Sequence, residues 1–400
     1  MNPAMARNNY NNTCLTPSTL RLITDDRSIK VICSAKIVLD LPYLWLRDNC
    51  SCGQCRVTAF QEKEFIVCDV ESDIKPRHTE LNKDNLTIVW PDNHITNYQL
   101  NEIFDLSESR HPEPKNWTER FKPEIFDWSS FLSDEICAKN AFRSFLELGA
   151  ITIINAPKES NSLELIAPRL GPIREVLFDR IHNVSVKTHA YNIAHTSLAV
   201  PPHNDFASYT TPPTVQALHM LENQVEGGNS IIVDAWKLVE ELKQDRPDYF
   251  ALLCRFNVPF REFDDQNETY ACEPIIRFDS RGKISSVRFS NQLVQTVNPK
   301  QRNVAEFYLA YHDLYRRITD PINHCKCRLH AGEILLLSAH RVLHGREAFF
   351  PNAVRHLQDA YFELDNIINK YFIMTEKIGR YLIKRLRSHP WTTLVGRITI

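Results

Sequence analysis

Two short segments far apart in the chain constrain its fold more than anything else in the sequence. Pro202-His203-Asn204-Asp205-Phe206 sets a histidine and an aspartate two residues apart, and Arg341-Val342-Leu343-His344-Gly345-Arg346 supplies a second histidine. Alternate residues of an extended segment point to one side, so His203 and Asp205 can grip one metal together. His344 must reach the same point from elsewhere, which calls for an architecture that returns distant strands to one mouth. Neutral imidazoles and a carboxylate suit iron(II), and three protein ligands leave a face of the metal open for chemistry. His203, Asp205 and His344 are therefore the candidate iron ligands and catalytic residues. A His-x-Asp pair alone is a weak signal, because surface pairs of this kind arise by chance.

Downstream context strengthens it. Arg355 follows His344 and opens the segment Arg355-His356-Leu357-Gln358-Asp359-Ala360-Tyr361. A guanidinium fork binds a carboxylate bidentately and keeps its charge when buried. An arginine placed this soon after a metal-binding histidine is what 2-oxoglutarate needs if it chelates the iron and pairs through its far carboxylate.

The remaining pattern predicts a mainly β chain. Short apolar runs at 29–39, 64–70 and 86–90 read as strands of a small β-rich module. A linker with Pro112 and Pro114 follows at 107–117. Helical spacing over 130–148 puts Phe131, Ile136, Phe142, Phe145 and Leu146 on one side, and Ala150–Ile154 reads as a buried strand. Strands at 214–221, 230–233, 284–289 and 333–337 are interrupted by helices at 237–244 and 302–318. Many short strands with few helices predict a sandwich or barrel. Over 369–387, Tyr371, Phe372, Ile378, Tyr381, Leu382 and Leu386 recur at helical spacing, as in a helix packed on a core or a partner subunit. The expected division is a polar tail at 1–28, a metal-binding module at 29–115 and a catalytic domain at 116–400.

Composition excludes several classes. A formal charge of −2 argues against nucleic acid as a partner, and 10 glycines against 22 prolines argue against a glycine-rich nucleotide loop. No stretch approaches the ~18 apolar residues of a membrane span, and the first thirty residues lack an apolar signal core. No membrane partner and a cytoplasmic location are expected. Of 11 cysteines, Cys50, Cys52 and Cys55 crowd together. Three thiolates need one more ligand to close a tetrahedral zinc site, and His94, after a strand of the same module, is the best candidate. Such a closed site is structural. His324, Cys325, Cys327 and His330 could suggest a second metal site, but alternation fits core burial of the two thiols better. His219 and His356 read as hydrogen-bonded structural histidines.

Taken together, His203-Asn204-Asp205, Gly227-Gly228-Asn229-Ser230-Ile231-Ile232-Val233-Asp234 and Arg341–Arg346 resemble the γ-butyrobetaine and trimethyllysine hydroxylases. These belong to the taurine-dioxygenase-like branch of iron(II)/2-oxoglutarate oxygenases, and the resemblance covers most of the chain. Leu44-Trp45-Leu46-Arg47-Asp48-Asn49-Cys50 and the Trp90–His94 segment recur there too. It implies a double-stranded β-helix (jelly-roll) core with flanking helices, a zinc-binding N-terminal domain, O2 as cosubstrate and a homodimer. It further implies that Leu218 and Ser230 line the 2-oxoglutarate site, and that Asn192 and Asn291 face the substrate pocket.

The resemblance departs at the aromatic box that holds a trimethylammonium group in these hydroxylases. The four box positions fall on Phe178, His182, His195 and Tyr361, of which only Tyr361 keeps the family's tyrosine. Imidazole is a poorer face for a cation than indole. Either the box takes a γ-butyrobetaine-like quaternary amine more weakly, or His182 and His195 hydrogen-bond an anionic group of an amino-alkyl carboxylate or phosphonate. The function expected is hydroxylation of a C–H bond in a small zwitterion. The alternatives are γ-butyrobetaine or trimethyllysine hydroxylase proper, a catalytically silent zinc-stabilised binding protein on the same fold, and a zinc hydrolase using the same three ligands.

Overall fold

The structure is a computed structural model and describes residues 20–33, 36–57, 59–105, 112–177, 179–186, 193–264 and 266–378. The chain divides into two compact units, residues 1–110 and 111–400.

The first unit holds two small antiparallel sheets. One is built from Leu20–Thr24 (β1), Ser28–Cys33 (β2) and Lys36–Pro42 (β3), followed by the helix Tyr43–Asp48 (α1). The other comprises His78–Asn82 (β4), Asn85–Val89 (β5) and Ile95–Gln99 (β6), followed by Leu100–Asp105 (α2). Period-two burial on β2, β5 and β6 sends Ile29, Val31, Leu86, Ile88 and Tyr98 into one core, where Trp90 is fully buried. Two expectations need correction. β1 lies inside the segment expected to be a polar tail, because Leu20 and Leu22 pack against this core. Residues 64–70 form no strand; a single 3-10 turn spans Val67–Asp69, and the Phe65 ring lies 3.8 Å beneath the Arg47 guanidinium.

The second unit is built on two facing sheets, antiparallel throughout except for the parallel pair at one edge of the larger. The larger joins, in order, Glu124–Asp127 (β7), Ala150–Ile154 (β8), Glu333–Ser338, Val215–Asn223, Arg355–Phe362 and His182–Ser185. In chain order the last four are β9 (His182–Ser185), β11 (Val215–Asn223), β18 (Glu333–Ser338) and β20 (Arg355–Phe362). The smaller sheet joins Val200–His203 (β10), Val342–Arg346 (β19), Ser230–Asp234 (β12) and Cys325–Cys327 (β17). Leu218, Met220, Leu335, Leu337 and Leu357 of the larger sheet share a core with Ile232, Cys325 and Val342 of the smaller one. The arrangement is consistent with a jelly-roll core.

Helices cover the outer faces. Trp128–Ser133 (α3), Glu135–Leu148 (α4), Ala167–Leu170 (α5) and Leu364–Ile378 (α9) pack on the larger sheet around Phe131, Phe142, Phe145 and Ile367. The single helix expected over 130–148 is broken at Asp134, whose carboxylate accepts the Ile136 amide at 2.8 Å and caps α4. Ile136 sits in the first turn after that cap and is exposed rather than core-facing. On the smaller sheet lie Ala235–Asp245 (α6), Pro247–Leu253 (α7) and Val304–Thr319 (α8). Between α7 and α8 come two hairpins, Val258–Phe263 (β13) with Glu268–Glu273 (β14), and Ile276–Phe278 (β15) with Ile284–Val287 (β16). Of the expected C-terminal apolar stripe, Tyr371 packs on the core, while Tyr381, Leu382 and Leu386 lie outside the described residues. Among the described residues no helix is long and apolar enough to cross a membrane.

A buried ion pair ties the site's surroundings together. Arg341 donates to both carboxylate oxygens of Asp234 at 3.1 and 2.8 Å and to the carbonyls of Glu147 and Lys115. Asp234 also accepts the Trp117 and Lys237 amides, so it caps α6 while neutralising Arg341. Every hydrogen-bonding group of such a pair must be matched for its burial to be tolerated, and here most are.

Candidate active site

The metal triad grows out of the β10–β19 ladder. His203 and His344 are paired directly across it, so two of the three groups are placed by backbone hydrogen bonding rather than by a loop. Asp205 follows from the turn after β10, which Asn204 holds: its amide donates to the Phe289 carbonyl, and its side chain accepts the Phe289 amide, both at 2.7 Å. Phe206 then takes a left-handed conformation at φ 52°. One donor atom from each of His203, Asp205 and His344 falls within a 4.8 Å cluster. His203 Nε2 lies 3.1 Å from Asp205 Oδ1, and His344 Nε2 lies 3.8 Å from Oδ2.

The surroundings prepare these atoms for a cation. His203 Nδ1 faces the Pro201 carbonyl at 2.9 Å, so Nδ1 carries the hydrogen and Nε2 is left as the ligand atom. Burial pushes His344 down to about 4, which keeps it a neutral ligand. Burial alone would raise the Asp205 carboxyl, but His344, His203 and the Tyr361 hydroxyl hold it well below the usual carboxylate range. Asp205 Oδ2 accepts from Gln216 Nε2 at 2.6 Å and from the Tyr361 hydroxyl at 2.7 Å.

These residues open on a cavity that Leu218, Ser230, Arg355, Leu357, Asp359 and Glu262 also line. Arg355 is only 7% exposed, yet among the described residues it forms no ion pair, and its buried Nε has no hydrogen-bond partner. Burial, with Arg346 and Arg328 nearby, pushes its pKa down to about 10, so it stays charged at neutral pH. A buried cation without a counterion is costly, and a dicarboxylate entering beside the triad would supply one. Arg346 is committed elsewhere, donating to the carbonyls of Ala194, Thr196 and Leu198 and so fixing one wall.

The expected substrate residues distribute unevenly. His182 and Tyr361 line the cavity. His195 does not: it is fully buried, with Nδ1 3.0 Å from the Ser185 carbonyl and its ring edge-on to His182 at 5.5 Å. Asn291 is exposed in a turn and accepts the Tyr311 hydroxyl at 3.0 Å, while its neighbours Ser290 and Gln292 line the cavity. Phe178 and Asn192 lie outside the described residues. Tyr361 offers less of a ring face than expected, because its hydroxyl bridges Asp205 and Asp359 at 2.7 and 2.8 Å. Gln216, Asp359 and Glu262 were not anticipated from the sequence. Period two along β20, counted from Arg355, would have found Asp359.

In the first unit the Cys50, Cys52 and Cys55 sulfurs lie 3.2, 3.6 and 3.5 Å from His94 Nε2. Tetrahedral zinc with ordinary bond lengths sets sulfur and nitrogen ligands about 3.5 Å apart, so the cluster fits that ion. Arg47 Nη1 donates to the Cys55 sulfur at 3.3 Å, a hydrogen bond suited to a thiolate. His324, Cys325, Cys327 and His330 form no such cluster; the Cys325 thiol is buried against the Phe121 carbonyl.

An open triad that shares its cavity with an unpaired buried cation is built to take an anionic cosubstrate at a metal. That places the chain among the iron(II)- and 2-oxoglutarate-dependent dioxygenases. The taurine catabolism dioxygenase TauD, TfdA family matches residues 109–361, and the chain belongs to it. The gamma-butyrobetaine hydroxylase-like N-terminal family matches residues 20–103. Among curated proteins the chain is 29% identical to gamma-butyrobetaine dioxygenase of Pseudomonas sp. (strain AK-1), over 83% of this chain and 89% of that protein. It is 26% identical to mitochondrial trimethyllysine dioxygenase of Bos taurus, over 84% and 83% respectively. It is 24% identical to gamma-butyrobetaine dioxygenase of Homo sapiens, over 84% and 92%.

Proposed function

We propose that the chain hydroxylates a C–H bond of a small zwitterion, with iron(II) held by His203, Asp205 and His344 and 2-oxoglutarate anchored by Arg355. The observation that carries this is the unpaired, buried Arg355 guanidinium opening on the cavity of the triad. When bound, iron with 2-oxoglutarate supplies the oxidising power, drawing on O2 and yielding succinate and CO2. The chain's own residues bind and orient. Pro201 fixes the His203 tautomer, while Tyr361 and Gln216 aim the Asp205 carboxylate. Leu218 and Ser230 flank the cosubstrate, and Leu357 and Val200 give the cavity an apolar wall.

Relatives named for γ-butyrobetaine and trimethyllysine support a substrate that carries a cationic nitrogen. The idea that His182 and His195 greet an anion loses support. His195 faces Ser185, and Asp359 puts a carboxylate 3.3 Å from His182 Nδ1. Turnover tests the assignment: protein supplied with iron(II), 2-oxoglutarate and a panel of amino acids and betaines should yield hydroxylated product from a zwitterion. Phosphonates turning over while amines and betaines do not would reverse the polarity of the assignment.

We further propose that Cys50, Cys52, Cys55 and His94 hold a structural zinc ion, which metal analysis of the purified protein tests. A homodimer is the proposed assembly, tested by light scattering.

A further inference from the structure

β20 presents Arg355, Leu357, Asp359 and Tyr361 to the cavity, whereas His356 and Gln358 turn the other way and both meet the Asn183 side chain. Asp359 is the unexplained member of that row. It is 4% exposed. Its Oδ2 accepts from the Tyr361 hydroxyl at 2.8 Å and from Gln216 at 3.4 Å, but its buried Oδ1 accepts no hydrogen bond. His182 Nδ1 stands 3.3 Å from Oδ1 without the alignment of a hydrogen bond. Tyr361 has one hydroxyl hydrogen to divide between two carboxylates, so it cannot satisfy Asp359 while serving Asp205.

The cations nearby are spoken for. Arg346 is bound to three carbonyls. Arg355 stands four residues along the strand, roughly 13 Å away, at the end assigned to the cosubstrate. Glu262 also lines the cavity and has no ion-pair partner among the described residues. The cavity therefore asks for a donor with positive charge. A trimethylammonium group carries charge but no N–H, and is best held by ring faces. Here Tyr361 is packed edge-on with Phe206 at 5.1 Å, and the two histidines are edge-on to each other.

We propose that Asp359 is the specificity-determining residue of this cavity, its Oδ1 taking an N–H of an alkylammonium group, so that the substrate is an amine bearing at least one N–H rather than a trimethylated one. This rests on the oxygenase reading above. A site built to hydrogen-bond a donor discriminates strongly against an analogue lacking it, because the buried acceptor is then left unmatched.

The test is calorimetric titration of the full-length protein, loaded anaerobically with iron(II) and 2-oxoglutarate. The ligands are 4-aminobutanoate with its N-methyl, N,N-dimethyl and N,N,N-trimethyl derivatives, and lysine beside N6-trimethyllysine. In at least one series the N–H-bearing members should bind tenfold or more tightly than the trimethyl compound, and Asp359→Asn should shrink that ratio below threefold. If the Asn variant does not take up 2-oxoglutarate, Asp359→Ser replaces it, and the wild-type ratios decide the matter alone. A trimethyl compound binding as well as its amine, no member binding, or a ratio unchanged by the substitution overturns the inference. Failure of the wild type to take up 2-oxoglutarate overturns the oxygenase reading and this inference with it. Uptake without amine preference overturns this inference alone.

Discussion

His203 and His344 stand opposite each other in the antiparallel β10–β19 ladder, and the ladder's one irregularity begins immediately beside them. Val200 pairs with Arg346 and His203 with His344, so Pro201 and Pro202 together oppose Gly345 alone. A bulge of this kind bends the strand and re-aims a side chain. β10 is an edge strand, where prolines cost no ladder hydrogen bond. Gly345 is needed for closeness: a Cβ there would lie 2.5 Å from the Val200 carbonyl oxygen and 3.0 Å from the Pro202 nitrogen.

Gly345→Ala should therefore pry the two histidines apart. Overpacking of this kind costs about 1–3 kcal/mol, and part of it should appear as metal affinity lowered roughly tenfold or more. Titration with Mn(II), followed by paramagnetic relaxation of water, reads this directly. Unchanged affinity in a folded variant would show that the bulge does not set the triad.

Tyr361→Phe removes the hydroxyl that lies between Asp205 and Asp359. The two carboxylates are then left with only the Gln216 amide between them, at 2.6 and 3.4 Å, and Asp205 loses one of its orienting contacts. Metal affinity should fall roughly 10- to 100-fold, the usual effect of deleting a group that orients a ligand. The same titration checks it, and a fall smaller than threefold would count against the bridge.

Purified protein should contain one tightly held zinc per chain, and Cys55→Ser should lose it. Because binding energy at such a site is folding energy, a strong chelator should lower the thermal midpoint of the wild type and leave that of the variant unmoved. Mass spectrometry of the metal and a melting curve with and without chelator decide this.

His219 gives a pH prediction away from any metal. It is fully buried on β11, and its ring nitrogens have no hydrogen-bond partner at bonding geometry. Burial, opposed by the Pro157 carbonyl, pushes its pKa down from 6.5 to about 4. The unfolded chain takes up this proton near 6.5 and the folded chain only near 4, so stability should fall as pH drops between those values and level off below them. The full loss is on the order of 3 kcal/mol. His219→Leu should flatten that slope in denaturant titrations at pH 7 and pH 5. An identical slope in both proteins would contradict it.

His219 also marks where the sequence stops being legible. Nothing in its neighbours says that a central strand will carry an unmatched imidazole outward into the helix layer. Apolar runs located β5, β8, β11, β12 and β18: β5 alternates because one face is buried, while β11, β12 and β18 are buried on both faces and read as continuous apolar runs. The hairpin β13–β14 and the strand β15 were not foreseen, although the strand expected at 284–289 matches β16: Arg261, Glu262, Thr269 and Glu273 give β13 and β14 a polar pattern that reads as loop. At the site, the triad, Arg355 and the Cys-His cluster were readable because metal and carboxylate chemistry restricts residue types. Asp359 and Gln216 were not, since their meaning comes only from the register that sets β11 beside β20 and brings both to Asp205. Asn291 was misplaced because it falls in a turn, where strand periodicity does not set side-chain direction.

The central claim is most directly tested by succinate release from 2-oxoglutarate in air with iron(II). Wild-type protein should form succinate, and His344→Ala and Arg355→Ala should each lower its rate at least a hundredfold. No succinate from the wild type, or equal release from the folded Arg355→Ala variant, would contradict the account.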